Sequence, residues 1–443
     1  MRFKFAALAV TAPIVIFSTA AYASGFALRE ASTGAMGTAY AGAAATDSDP
    51  SYIFYNPAAT AGVVDHDLSL DVIGILPGSG GTFSGHTAAG TPTGGPGRAT
   101  SFIGSAAVPS GALRYRLNDQ WAVGLSLTVP WGETTHYPAN WAGRYYAQTT
   151  GLTAYNVTGT VSYQVTPELT LAAGPQVQYT RGNLTQAIDF GTIGAGFGIP
   201  GAIPGADDGR ARLHGHDWGV GYVAGLAWQA LPDLSIGVSY RSEISHALKG
   251  QEQFTFDSAG IGATLHTLSG AFANSGGKVD LPTPAVVNVG ARWAVSDRWS
   301  ALGTVEYTNW SSLRQLLVLS DNPANSPSLT QLNWKDTWFG SLGAEYRPDD
   351  IWTLRGGIAF DEGAAPPSTL EPRIPDSSRY WLSAGAGYHW DDHTDINVSV
   401  SHLLSPQSHI DQSVADPGNA ARGSLTGITD SQATLVGLQL VLR

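Results

Sequence analysis

The sequence predicts an all-β protein: a closed antiparallel transmembrane β-barrel of fourteen strands, with an N-terminal hatch folded inside its lumen. Three observations predict it. Hydrophobicity alternates with a period of two almost everywhere after residue 65, as where Trp218, Val220, Tyr222, Ala224, Leu226 and Trp228 oppose Gly219, Gly221, Val223, Gly225, Ala227 and Gln229, and that is the period of a strand. Aromatics bracket the apolar stripes eight to ten residues apart, as Trp218 and Trp228, Trp299 and Tyr307, Trp338 and Tyr346, Trp352 and Phe360, or Tyr380 and Trp390. At ~3.3 Å per residue this gives a band of roughly 25 to 30 Å along the strand, which fits aromatic girdles at two lipid interfaces. The opposite face is mostly Gly, Ser, Thr and Asn, unlike the large side chains that fill a sandwich core.

Composition agrees. The 443 residues include 54 Gly, no Cys and only 13% charged residues, against averages of about 7% Gly and about 25% charged residues in soluble domains. Beyond the N-terminus no run reaches the roughly 18 apolar residues of a membrane helix. A barrel is then the closed structure that satisfies every backbone group in lipid.

Residues 1–23 read as a signal peptide. Arg2 and Lys4 give the basic start, Ala6 to Phe17 the apolar stretch, and Ala21-Tyr22-Ala23 the small-x-small site, with cleavage before Ser24. Without Arg2 and Lys4 the chain keeps 21 basic against 35 acidic residues, a formal charge of −14. That balance disfavours nucleic acid as a partner. Residues 24–65 do not alternate; they are rich in Gly and Ala, yet Phe26, Leu28, Met36, Tyr40, Tyr52, Phe54 and Tyr55 make them too apolar for a solvated tail. They are expected to form the hatch, with turns at Asp47-Ser48-Asp49-Pro50 and at Asn56-Pro57-Ala58.

The barrel is expected to occupy 66–443. Strands are placed near 66–76, 98–117, 120–130, 151–166, 169–184, 213–231, 233–256, 278–296, 298–320, 331–348, 351–362, 378–392, 394–411 and 427–443, an even count as bacterial barrels require. Tight turns such as Thr166-Pro167-Glu168 and Asp391-Asp392-His393 should face the periplasm. The long connections 131–150, 185–212, 257–277 and 363–377 should face outward.

In the strand at 98–117 the larger apolar residues sit first at even positions (Phe102, Ala106, Val108) and then at odd ones (Leu113, Tyr115, Leu117). The spacing predicts a slip of phase, absorbed by a bulge, across Pro109-Ser110-Gly111. Pro109 lacks a ladder donor and Gly111 permits unusual dihedrals, so wall pairing is expected to break there, and on these residues alone the break reads as an ordinary bulge with no passage. Loops 131–150 and 185–212 carry Trp131, Trp141, Tyr145, Phe190 and Phe197, an apolar load that suggests a surface for capturing hydrophobic ligand; packing within the loops is the alternative.

Ordered motifs add a resemblance. Gly25-Phe26-Ala27-Leu28, Gly34-x-x-Gly37-x-Ala39-Tyr40-Ala41-Gly42, Asn56-Pro57-Ala58, Pro130-Trp131-Gly132, Trp334-Lys335-Asp336 and Ile374-Pro375-Asp376 followed by Arg379-Tyr380-Trp381 resemble the FadL-type outer-membrane long-chain fatty acid transporters. The resemblance covers the whole mature chain. It implies a monomeric barrel that captures hydrophobic ligand by its outer loops, binds it in a gated pocket and releases it sideways into the outer membrane. It implies that the break at Pro109, Ser110 and Gly111 is a lateral opening, that Phe26 lies near the pocket and that Asn56, Pro57 and Ala58 face the gap in the wall. Family members can meet the ligand carboxylate with basic residues; here the matching places hold Gln186 and Thr330. Arg181, Arg241 or Arg355 could substitute, or the ligand could be a neutral aromatic or alkane, as in relatives that import hydrocarbons.

Other classes find less support. His214 and His216 share a strand face but lack a third ligand, and Gly194 to Gly198 reads as a flexible loop without a phosphate-site context. Glu243, Glu306 and Glu345, with Arg241, Arg292, Arg347 and Arg355, are expected to form an ion network in the lumen that holds the hatch. No enzyme activity, cofactor or metal is expected. A passive polar-solute porin remains the rival from another class; it would need an open lumen and no hatch.

Overall fold

The computed structural model describes residues 25–62 and 65–443; the predicted signal peptide lies outside the described residues. The strands are β1 (His66–His86), β2 (Arg98–Thr100), β3 (Ala106–Arg116), β4 (Trp121–His136), β5 (Thr149–Thr166), β6 (Leu169–Asp189), β7 (Asp208–Leu231), β8 (Leu234–Arg241), β9 (Ile244–Thr255), β10 (Ser275–Thr283) and β11 (Val286–Ala294). They continue as β12 (Trp299–Thr308), β13 (Gln315–Ser320), β14 (Ser328–Gln331), β15 (Thr337–Tyr346), β16 (Trp352–Asp361), β17 (Arg379–Asp391), β18 (Thr394–Leu404), β19 (Ser408–Gln412) and β20 (Ser424–Leu442). Six wall strands are interrupted (β2 with β3, β8 with β9, β10 with β11, β12 with β13, β14 with β15, β18 with β19), so these segments build fourteen antiparallel wall strands. β1 closes the ring on β20, from Leu68↔Leu442 to His86↔Ser424. Closure removes the unpaired edges that would otherwise invite association.

Parity and girdles follow the sequence. Trp218, Trp228, Trp299, Trp338, Trp352, Tyr380 and Trp390 stand exposed on the outside, while Ser69, Ser126, Thr160, Ser401 and Gln439 are buried on the inside. Several strands run further than their apolar stripes. β1 continues through Pro77-Gly78-Ser79-Gly80-Gly81, expected to end the strand, because β20 pairs with it all the way; tertiary pairing overrides a weak local preference. The segment Gly194 to Gly198 is also not a loop throughout, since helix α2 spans Phe190–Gly196, capped by Asp189 accepting from the Thr192 N–H.

Residues 25–62 fill the lumen. A single turn of helix, α1 (Thr33–Met36), capped by Ser32, precedes three 3-10 turns, the last at Pro57–Thr60 capped by Asn56. Their polar groups reach walls on opposite sides: the Thr33 N–H donates to Asp71 of β1 at 2.8 Å, the Gly42 N–H to Thr304 of β12 at 2.9 Å, and Asn56 Nδ2 to the Leu226 carbonyl of β7 at 2.8 Å. Wall glycines make room for it. A Cβ on Gly357 or Gly237 would run into the hatch backbone at Thr38 or Ala44.

Charge pairs fasten the hatch as well. Arg29 bonds Glu306 at 2.8 Å and Asp361 at 3.1 Å and lies over the Phe339 ring, while Glu345 takes Arg292 at 2.6 Å and Arg355 at 3.2 Å. The expected network therefore exists, but its hatch member is Arg29. Three expected members stand outside it, and of these Arg241 bonds neutral acceptors, Gln176 and the Phe54 carbonyl of the hatch. Glu243 lies exposed in the break between β8 and β9, and Arg347 lies exposed in a tight turn, because both fall where strands end and parity no longer applies.

Candidate functional site

The site is built around Phe26. Its ring is buried and meets Trp310 edge-on at 4.9 Å, Trp334 at 5.7 Å and Trp131 at 6.0 Å between ring centres. Trp310 and Trp334 reach it because the chain bends inward between β12 and β13 and between β14 and β15. The bend is held by Asp336, which accepts from the Tyr307 hydroxyl at 2.6 Å and the Ser311 N–H at 2.8 Å. Asp376, in the connection before β17, accepts from the Gly25 N–H at 3.1 Å and is paired with Arg379 at 3.1 Å.

On the outer side of Phe26 lies a void of ≈ 1180 Å³, open solvent included, with an apolar lining from Phe26, Leu152, Leu248, Leu281, Leu313 and Ile374 and polar groups among the other residues around it. A second void of ≈ 570 Å³ is lined by Leu28, Pro130, Trp131, Arg241 and Glu306. Phe26 borders the first and Trp131 the second, so the aromatic cluster is the partition between them.

The wall beside the second void is incomplete. β3 pairs with β4 only from Arg116↔Ala122 to Gly111↔Leu127; above that the next contact is the isolated bridge Ile103↔Thr135. Into this window the hatch inserts as a short strand, with the Leu28 N–H on the Pro130 carbonyl at 2.8 Å and the Gly132 N–H on the Phe26 carbonyl at 2.9 Å. On the other side Ser110 Oγ donates to the Ala31 carbonyl at 3.0 Å.

The position of this discontinuity corrects the sequence reading. No phase slip occurs at Pro109-Ser110-Gly111: β3 keeps unbroken register with β1 from Ile75↔Ala106 to His66↔Tyr115. Ala106 and Val108 are apolar yet face inward onto the hatch, which imitated a change of face. The bulge lies one strand over, where Val129 and Pro130 of β4 together oppose Tyr155 of β5. Pro130 was the sequence signal for it. Pro109, Ser110 and Gly111 do border the window, on its β3 side. Of the expected Asn56-Pro57-Ala58 motif, Asn56 bonds Leu226 and Pro57 packs on Gly225, both in β7, while Pro57 also lines the second void.

The apolar loop residues are mostly inside. Trp131 belongs to β4 and the Phe26 cluster. Trp141 stacks on Tyr137 at 4.1 Å and donates to the Ala147 carbonyl at 2.6 Å, Tyr145 donates to Asp208 at 2.6 Å, and Phe190 packs on Phe272 at 5.0 Å. These four are loop and wall packing. Only Phe197 is presented outward, 76% exposed, near α2; Leu268 of helix α3 (Ile261–Ser269) is 74% exposed, and α2 packs against α3.

Of the candidate bases, Arg181 faces outward beside Tyr155 at 5.8 Å because it shares the parity of the girdle residue Tyr179. Arg355 is committed to Glu345. Arg241 does line the second void, bonded to Gln176 at 2.7 Å and the Phe54 carbonyl at 2.9 Å. Gln186 and Thr330 both line the large void, and Gln186 accepts there from Arg373, which sequence reading had missed. Among the described residues no group of three or more side chains suited to a metal was found.

A fourteen-strand barrel whose lumen is filled by its own N-terminus, with an apolar chamber on the outer side and a window in the wall, defines a gated outer-membrane channel for hydrophobic compounds. The family model described as Outer membrane protein transport protein (OMPP1/FadL/TodX) matches residues 14–443, and the chain belongs to that family. It is 28% identical over 430 residues to the long-chain fatty acid transport protein of Escherichia coli K12, covering 90% of this chain and 92% of that one. It is 30% identical over 436 residues to the 47 kDa outer membrane protein of Pasteurella multocida, covering 96% and 97%. Among solved structures it is similar to a Pseudomonas aeruginosa FadL homologue, with a TM-score of 0.85, 26% identity, and coverage of 94% and 99%. It shares the fold of the Ralstonia pickettii toluene transporter TbuX, with a TM-score of 0.65 and 20% identity over 95% and 99% of the two chains. Family and fold place the chain in the outer membrane of a Gram-negative bacterium.

Proposed function

We propose that this protein carries long-chain fatty acids across the outer membrane as a monomer, and that it is a transporter and not an enzyme. Ligand collects on the exposed apolar residues of α2 and α3, enters the large void, passes the Phe26 partition when the N-terminal strand of the hatch shifts, and leaves between β3 and β4 into the bilayer. The observation that carries the reading is the alignment of two voids, an aromatic partition and a window on one path, with hatch residues 26–31 touching every part of it. Lateral release fits the ligand, because burying an alkyl chain gains ~0.8 kcal/mol per CH₂; exit into lipid is downhill and exit into periplasmic water is not.

Uncharged Gln186 and Thr330 in the chamber favour a second reading, import of neutral hydrocarbons. Deleting Val129 from β4 would remove the bulge and let the β3 ladder run on. Fatty acid uptake by cells relying on this protein should then fall about tenfold or more while barrel insertion, read by heat-modifiable gel mobility, is unchanged. Unchanged uptake by an inserted variant would remove lateral exit, and uptake of an alkane but no fatty acid by the unaltered protein would establish the second reading.

A further inference from the structure

We propose that Arg373 is the anion anchor of the large void, so that the ligand seated there is an amphiphile with a carboxylate head and an alkyl tail. The inference rests on the reading of that void as the transport chamber and names the chemistry of its ligand. Arg373 is 6% exposed and lines the void from the connection ahead of β17. Its guanidinium donates to Gln186 Oε1 and to the Thr185 carbonyl at 3.4 Å. Both acceptors are neutral.

Of the acids near it, Glu371 and Asp376 are paired with other arginines, although the charge of Glu371 also acts on Arg373. Glu371, two residues away, takes Arg422 at 3.0 Å, and Asp376 takes Arg379 at 3.1 Å together with the Gly25 N–H. Glu133 and Glu252 also border the void, but neither forms an ion pair with Arg373, and Glu252 accepts from Asn325 at 3.2 Å. The other basic groups there are Arg212, exposed and bonded to Asn183 at 3.0 Å, and His214. Burial lowers the Arg373 pKa to about 10, which leaves it cationic at neutral pH.

A buried guanidinium without a counter-ion is costly. A carboxylate arriving from outside would lower that cost with charge-assisted hydrogen bonds, and Arg is the side chain whose fork suits a carboxylate. A neutral hydrocarbon would fill the same apolar walls and leave the cation uncompensated. Arg373 thus separates the two ligand classes that the apolar lining alone accepts equally.

The test is competitive binding of hexadecanoate and of hexadecanol, equal in chain length, to the purified full-length barrel in nanodiscs. The unaltered protein should prefer the acid by about tenfold or more, and Arg373→Gln should bring the two affinities within about threefold, chiefly by weakening the acid. Gln186→Glu, which sets a carboxylate on the guanidinium without removing it, should erase the preference as well and serves if Arg373→Gln does not insert. An acid preference that persists in both variants, or equal binding of both ligands to the unaltered protein, would overturn the anchor and leave the chamber standing. Binding of neither would overturn the chamber itself, and the anchor with it.

Discussion

The Gly25 N–H donates to Asp376 Oδ1 at 3.1 Å across 351 positions of sequence, tying the start of the hatch to the connection that also carries Arg373. The anchor proposed for the ligand head lies three positions before the carboxylate that holds the hatch. A shift of Arg373 on ligand binding would therefore act directly on the contact that keeps Phe26 in its tryptophan cluster.

Gly25 adopts φ +62°, and a Cβ there would lie 2.5 Å from the Trp334 ring and 2.8 Å from that of Trp310. Gly25→Ala should expel the N-terminal strand from the window without unfolding the wall. Single-channel conductance in planar bilayers should rise several-fold, and protease should cut within residues 26–31 sooner; a silent, protease-resistant variant would show that the strand tolerates the clash.

Arg29→Ala would leave two wall carboxylates facing each other without their cation. Breaking a buried pair costs about 3–5 kcal/mol, and here the loss should fall on hatch docking while the ladder of the wall persists. Hydrogen exchange is expected to speed up across 25–62 and to stay slow in β16 and β17. Equal acceleration in wall and hatch would instead show a global effect.

Asn56 caps the last hatch turn by accepting from the Ala58 N–H at 3.0 Å and bonds both the Ala44 and Leu226 carbonyls. Asn56→Ala removes a cap worth about 0.5–2 kcal/mol and leaves two carbonyls without that donor. Exchange of the amides at 58–61 should accelerate by about tenfold or more, whereas the Phe26 cluster, on another wall, should keep its near-ultraviolet circular dichroism.

Burial pushes the Asp336 carboxyl upward, but the Tyr307 hydroxyl and the Ser311 amide outweigh it and hold it below the usual carboxylate range. A carboxylate with a depressed folded pKa contributes stability that is present above its unfolded value and is lost as pH falls through the folded one. The Trp310 and Trp334 bends should therefore keep their fluorescence from neutrality down to about pH 4 and loosen only below it. Asp336→Asn should remove that acid transition, and its survival in the variant would assign it to another carboxyl.

The sequence by itself determined the wall. A period of two, girdle spacing and a Gly-rich inner face are local properties of each strand, which is why fourteen strands and the outward face of Trp218 or Trp390 were legible one segment at a time. Departure from alternation also set residues 24–65 apart from the wall, and the motif resemblance singled out Phe26 within them. Tertiary structure alone decided where the ladder stops and which charges meet: Ala106 and Val108 look lipid-facing until the hatch is placed behind them, Arg181 looks lumenal until its parity is tied to Tyr179, and Arg373 is one charge in a proline-rich connection until folding sets it beside Gln186. The physical reason is range. Strand parity is fixed by neighbours two residues away, whereas the window, the partition and the anchor are contacts between segments up to hundreds of residues apart, formed only when the barrel closes around its own N-terminus.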